Sequence, residues 1–395
     1  MEEELLMIPG PVPVLPRVRQ AMARPMINHR GDEFAQLITA IVKSLQGIFQ
    51  TTNDLLVLSG SGTCAMEAAL GCLLRRPRDG GTGEVRCITV ANGKFGERFK
   101  EIAARYSSAA AVTALDFPWG QPIELEQVKA ALERTPSPKV VTMVHNETSV
   151  GLLNPARELG KLAKQHGAVF VLDCITSIGG DDVPVDAIGA DIAIVGSQKC
   201  LGTPPGLSAL SVSAKAWELM RENPARPYYQ DLVAYKKSYD KKQTPYTPAL
   251  PLFFALHEAL QVINEEGMAR RIARHHAMSK AVRAAVASLG LQMFPQLNAV
   301  SSYSNTVTAV KLPVERGITD DNLRGGMRKR GVVIAGGQEQ LKGKIFRIAS
   351  MGDITPQAIT RTIGTLEEVL LEQQVIARKG AGVAAAEEVL APLSV

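Results

Sequence analysis

The sequence predicts an α/β protein with a mostly parallel central sheet, flanking helices and a smaller α+β C-terminal domain. Short apolar runs alternate with amphipathic helical patterns through the first half of the chain, the order expected of a sheet covered on both faces. At 395 residues the chain exceeds one core of ordinary size and suits two domains. The polar, glycine-bearing stretches of interest follow apolar runs, and ligands of open parallel sheets bind at the carboxyl ends of the strands.

Residues Ile8–Pro16 hold four prolines. Proline fixes φ and removes an N–H, so this segment is neither regular helix nor central strand and reads as an extended arm lying across another part of the molecule. Leu55–Leu58 is the first buried strand; it runs into Ser59–Thr63 and then a helix over Cys64–Leu74. Val85–Val90 follows, with a helix from about Phe95 to Tyr106. Val140–Val144 leads to a helix over Pro155–His166, and Val169–Leu172 and Ile192–Val195 complete the series. From Leu252 a helical pattern continues past Gly267 toward Leu289 as a bridge into the second domain. There, strands over Ser304–Leu312 and Lys344–Ile348 mix with helices over Asp320–Arg330 and Pro356–Glu372. The tail after Arg378, rich in Ala, Gly and Glu, reads as a frayed helix or a disordered segment. The division expected is an arm over 1–16, a large domain over 17–264, a small domain over 265–378 and a flexible tail over 379–395.

Hydrophobic residues make up 46% and charged residues 21%, which sets aside disorder and fibrous repeats. The net charge of +5 is small for the length, and the nearest thing to a basic block is Lys236–Lys237 with Lys241–Lys242, so nucleic acid is not an expected partner. Cys64, Cys72, Cys87, Cys174 and Cys200 show no C-x-x-C spacing; no metal site is expected, and scattered thiols suit a reducing cytoplasm. The acidic start Met1–Glu4 lacks an apolar signal core, and no apolar run is long enough to span a bilayer. A cytoplasmic protein with no membrane contact is the expectation.

Three motifs carry chemistry. Ser59-Gly60-Ser61-Gly62-Thr63 joins a strand to a helix, where free N–H groups and the positive dipole end favour an anion such as a phosphate; taken alone it is equally an ordinary turn. Asp173 ends an apolar strand, where a carboxylate caps a loop, ligates a cation or anchors a protonated ring nitrogen. Lys199 follows another buried strand among small residues; burial lowers a lysine's pKa and makes its amine a nucleophile for an aldehyde. A phosphate cup, a strand-end Asp and a strand-end Lys together match the three handles of pyridoxal 5'-phosphate (PLP): phosphate, pyridine nitrogen and aldehyde.

With these residues the chain resembles the class V branch of the fold-type-I PLP enzymes, more narrowly the alanine–glyoxylate and serine–pyruvate aminotransferases. The stretches that carry the resemblance are Pro9–Pro11, Ser59–Leu70, Asn92–Arg98, His145–Gly151, Asp173–Gly180, Gly196–Gly206, Thr244–Pro248 and Phe346–Asp353, in order along nearly the whole chain. The resemblance implies that Lys199 is the Schiff-base lysine and Asp173 the partner of the pyridinium nitrogen. It implies that Ser61, Gly62 and Thr63, with Gln198 beside them, form the phosphate cup. Phe95 and Ile175 then flank the cofactor ring, Phe95 standing where many relatives have Trp. Thr148 bonds the phenolic oxygen, with Ser149 a possible substitute, and Thr247 reaches the phosphate of a partner subunit. Thr244 stands where relatives often carry Tyr. Arg347 grips the substrate's α-carboxylate, a bidentate task suited to guanidinium. His29 and Arg30 either line the substrate pocket or form a polar loop, and Gly336-Gly337-Gln338 is a candidate wall.

The activity implied is ping-pong transamination from a small amino acid, alanine or serine, to a 2-oxo acid, glyoxylate or pyruvate, in a homodimer with shared sites. Three alternatives remain open: aspartate as donor, a cysteine desulfurase-like lyase, and a non-catalytic assembly subunit. A desulfurase needs a thiolate on a mobile loop, and no cysteine follows Cys200. Phosphoserine as donor lacks a clear extra cationic cluster. A non-catalytic descendant would be expected to have lost Lys199, Asp173 or Arg347, and all three are present.

Overall fold

A seven-stranded sheet forms the centre of the large domain in the computed structural model, which describes residues 4–75 and 83–393. Part of the acidic start (1–3) and the last two residues of the tail (394–395) lie outside the described residues. Across the sheet the strands run Asp54–Ser59, Leu207–Val212, Ile192–Gly196, Val169–Asp173, Lys139–Val144, Arg86–Ala91 and Val112–Asp116. Leu207–Val212 is antiparallel to both its neighbours, and the other neighbouring pairs are parallel. Side chains on a strand alternate between faces. Leu55 and Val57 accordingly join one apolar layer with helices Asp32–Phe49 and Leu250–Glu266. Leu56 and Leu58 join the opposite layer with helices Gly62–Leu73 and Lys94–Tyr106.

The five apolar runs read from the sequence are strands here, with ends moved by a residue or so. Two strands escaped that reading. Leu207–Val212 mixes leucine, serine, alanine and valine and is wholly buried, while Val112–Asp116 is a largely exposed edge strand of mixed composition.

The small domain is built on a second sheet in the order Leu5–Met7, Val332–Gly336, Ile345–Ala349, Val307–Lys311. Its core joins Met278, Val282, Leu323, Phe346, Ile363 and Leu366. Four expectations are corrected. The helical run from Leu252 is two helices, Leu250–Glu266 and Met268–Ser288, broken at Gly267, whose φ of +80° lies in the region that glycine adopts freely. The tail, expected to be flexible, folds into a helix over Ala381–Leu390 that buries Ala386 and Leu390 in the small-domain core. The strand expected from Ser304 is confined to Val307–Lys311, because Ser304 Oγ turns back to accept from the Thr306 and Val307 N–H groups. Pro16 belongs to a helix, Pro16–Ala21, at its first position, where the missing N–H is not needed.

The arm thus has three parts. Leu5–Met7 pairs in parallel with Val332–Ile334, residues 8–15 cross between the domains without regular structure, and Pro16–Ala21 packs through Val18 on Ala255 and Ala259 of the large-domain helix.

Candidate active site

One pocket opens at the carboxyl ends of the large-domain strands, and each loop lining it follows a strand. Ser61, Gly62 and Thr63 come after Asp54–Ser59; Phe95 and Arg98 after Arg86–Ala91; Asn146 and Thr148 after Lys139–Val144. Ile175 and Thr176 follow Asp173, and Gln198 and Lys199 follow Ile192–Gly196. Nine residues singled out in the sequence therefore line one space: Ser61, Gly62, Thr63, Phe95, Thr148, Asp173, Ile175, Gln198 and Lys199.

Ser61 is the N-cap of the Gly62–Leu73 helix, and the first N–H groups of a helix have no intrahelical partner. Asp173 is buried at its strand end, where Oδ1 accepts from the Ile175 N–H at 2.7 Å. Burial pushes its carboxyl up to about 7, against the pull of that hydrogen bond. Lys199 is held the opposite way. Burial lowers its amine to about 8, opposed by the nearby Cys200 and Asp173 and assisted by Arg347 and Arg98. Lys199 Nζ donates to the Pro9 carbonyl of the arm, and Val12 N donates to Gln198 O at 3.2 Å. A Cβ on Gly10 would stand 2.6 Å from Lys199 Nζ, so the arm approaches the lysine at a position with room only for glycine.

Glu147 organises the neighbouring loops. Its buried carboxylate accepts from the Phe95 and Gly96 N–H groups at 3.0 Å each and from Ser149 Oγ and N. It thereby satisfies the open N-terminus of the Lys94–Tyr106 helix, and Ser149 is turned to this task while Thr148 faces the pocket. Arg347, nearly buried on the small-domain strand Ile345–Ala349, donates from Nη1 to Thr148 O and from Nε and Nη2 to Gly336 O. A guanidinium has five N–H donors. These bonds leave one on each terminal nitrogen, the pair that a bidentate carboxylate requires.

Thr247 does not join this pocket; it is exposed on the loop after Thr244. Arg30 braces that loop through the Gln243 side chain and the Thr244 and Pro245 carbonyls, and neither His29 nor Arg30 lines the pocket. Sequence reasoning missed Arg98 and Asn146. Arg98 lies one helical turn after Phe95, spacing that puts both on one face. Asn146 donates to Thr176 O and Thr306 Oγ1, but its Oδ1 is buried without a partner, as is Gln198 Oε1.

The donor set fits PLP: a helix start for a phosphate, a buried carboxyl for a pyridine nitrogen, a buried amine for an aldehyde, and Phe95 and Ile175 for the ring. The two orphaned acceptors, Asn146 Oδ1 and Gln198 Oε1, mark polar groups that a bound molecule can satisfy.

Comparison with known proteins gives the same answer. The family described as Aminotransferase class-V matches residues 17–342. An uncharacterized aminotransferase of Methanocaldococcus jannaschii is 42% identical, over 98% of each chain. A protein named soluble hydrogenase, small subunit, from Synechococcus is 38% identical over 98% of this chain and 99% of its own. The solved structure of ureidoglycine–glyoxylate aminotransferase from Bacillus subtilis is 29% identical and superimposes with a TM-score of 0.89, covering 99% of both chains.

Proposed function

This chain belongs to the class-V aminotransferase family, whose fold-type-I members use PLP, and on that premise we propose that it moves an amino group from alanine or serine to glyoxylate or pyruvate. The observation that carries the reading is the convergence on one pocket of a buried amine, a buried carboxyl and a helix start, with Arg347 at its small-domain edge.

Bound PLP supplies an aldehyde that captures the amino group and a ring that withdraws electrons from the substrate's Cα. The protein does the rest. Lys199 would hold the aldehyde, and as a free amine beside the substrate's Cα it would accept a proton from that carbon and give it back. Its lowered pKa keeps a useful fraction of free amine near neutral pH. Asp173 holds a proton on the ring nitrogen through a charge-assisted hydrogen bond. Arg347 fixes the α-carboxylate, and so the orientation of the Cα–H bond. Among the described residues lining the pocket, the cations are Lys199 and Arg98, and Arg98 is turned to Thr63. With Lys199 held for the aldehyde and Arg98 on Thr63, neither is placed for a distal carboxylate, which favours alanine or serine over aspartate.

The working unit in this reading is a homodimer. Thr247 is exposed and does not line its own pocket, which suits a contact with the cofactor phosphate of a second copy. Five free cysteines suit a cytoplasmic enzyme. A second reading, a subunit of a larger assembly, is favoured by the 38% identity to the hydrogenase-named protein.

An absorbance titration of the PLP-loaded protein tests both. Loss of the cofactor's visible band on adding L-alanine or L-serine, with recovery on glyoxylate or pyruvate, is expected. A response to L-aspartate alone would replace the donor, and no response to any amino acid would favour the assembly subunit.

A further inference from the structure

Two cationic side chains line the pocket, and the family reading employs one of them. Lys199 is committed to the aldehyde end. Arg98 is at the other end: Nη1 donates to Thr63 Oγ1 at 3.0 Å, beside the opening turn of the Gly62–Leu73 helix. Its guanidinium carbon lies 4.8 Å from the centre of the Phe95 ring. Among the described residues no carboxylate forms a salt bridge with it, although its charge is felt at Asp173. An arginine that lines a pocket, partly buried and without an ion-pair partner among the described residues, suits an anion that comes with a ligand.

The phosphate is that anion. It carries close to two negative charges, whereas a helix start contributes the equivalent of roughly half a positive charge. A partly enclosed dianion needs more, and the planar guanidinium fork matches phosphate oxygens in geometry as well as charge. Phe95 and Arg98 share one helix, whose N-terminus Glu147 holds in place. One rigid element therefore presents a ring to the cofactor's face and a cation to its phosphate.

We propose that Arg98 is a further cofactor-binding residue, which supplies the counter-charge to the PLP phosphate from the Thr63 side of the cup. This rests on PLP occupying the pocket, and the test separates the two claims. Apoprotein is titrated with PLP and, separately, with pyridoxal, which lacks the phosphate, following the visible absorbance of each bound form. For wild type, Arg98→Lys and Arg98→Gln, the dissociation constants are compared.

Arg98→Gln is expected to weaken PLP by about 10- to 100-fold, the loss of one charge-assisted bond, and to leave pyridoxal unchanged. Arg98→Lys keeps the charge without the fork and falls between. Equal weakening of both ligands by Arg98→Gln would overturn the proposal and make Arg98 a brace for Phe95 and Thr63. Unchanged PLP affinity would also overturn it. Failure of wild type to bind PLP would overturn the cofactor reading itself. If Arg98→Gln does not fold, Arg98→Lys decides: selective weakening of PLP supports the proposal, and equal effects on both ligands reject it.

Discussion

Asp173 and Lys199 are held in opposite imbalance. The carboxyl is pushed up to about 7 and the amine down to about 8, each mainly by burial. For Asp173 the sign is definite. The folded apoprotein binds a proton that the unfolded chain has released between the ordinary 3.8 and about 7, so this stabilisation is full at low pH and is lost as pH rises through 7. Asp173→Asn stays neutral and does not lose it. At pH 8 the Asp173→Asn apoprotein should melt about 2–4 °C above wild type, with the gap closing at acidic pH, while its PLP affinity falls; a melting series from pH 4 to 8 checks this. Gly10 is a second lever. Gly10→Ala places a methyl against Lys199 Nζ. It should slow capture of PLP by roughly tenfold or more, read as the growth of the cofactor band after mixing with apoprotein, since misplacing a reacting group by about 1 Å is that costly. Most residues of the site that were legible in the sequence follow a strand end in short stretches, each weak alone and telling only together. Arg98 and Asn146 were not, because an arginine one turn along a helix and an asparagine in a loop become pocket residues only once the loops are assembled.

Gly267 separates two helices that the apolar pattern ran together. Leu250–Glu266 packs in the large-domain layer and Met268–Ser288 in the small-domain core. Periodicity reports which residues are buried and is silent on which core receives them, so the break left little trace beyond the glycine itself. A side chain there would meet nothing within 4 Å, and its cost is conformational, from φ of +80°. Gly267→Ala should destabilise the protein by about 1 kcal/mol with unchanged Michaelis constants, as judged by urea unfolding and steady-state rates. Missed strands have equally local causes: serine in a fully buried strand, and a mixed, exposed run on an edge.

Arg271 ties the whole molecule together. It is fully buried; Nε donates to Gly179 O, Nη2 to Cys200 O beside Lys199, and Nη1 to Glu266 and Asp353. One side chain thus joins the lysine loop, the end of the bridging helix and the small domain. Arg271→Met would leave Asp353 without its cation and the Gly179 and Cys200 carbonyls without their donor, while Glu266 keeps Arg274; a loss of about 3 kcal/mol in chemical denaturation is expected, with reduced kcat because the Cys200 carbonyl is released. The α/β alternation made the large domain legible as a whole, since each strand announces itself locally. The small domain was less so: one of its strands, Leu5–Met7, comes from the opposite end of the chain. That strand has a consequence for biosynthesis. Leu5–Met7 leaves the ribosome long before Val332–Ile334, its pairing partner, exists. Until then the first residues of the arm have no strand to pair with, so the arm is tied to the small domain only after most of the chain has been made.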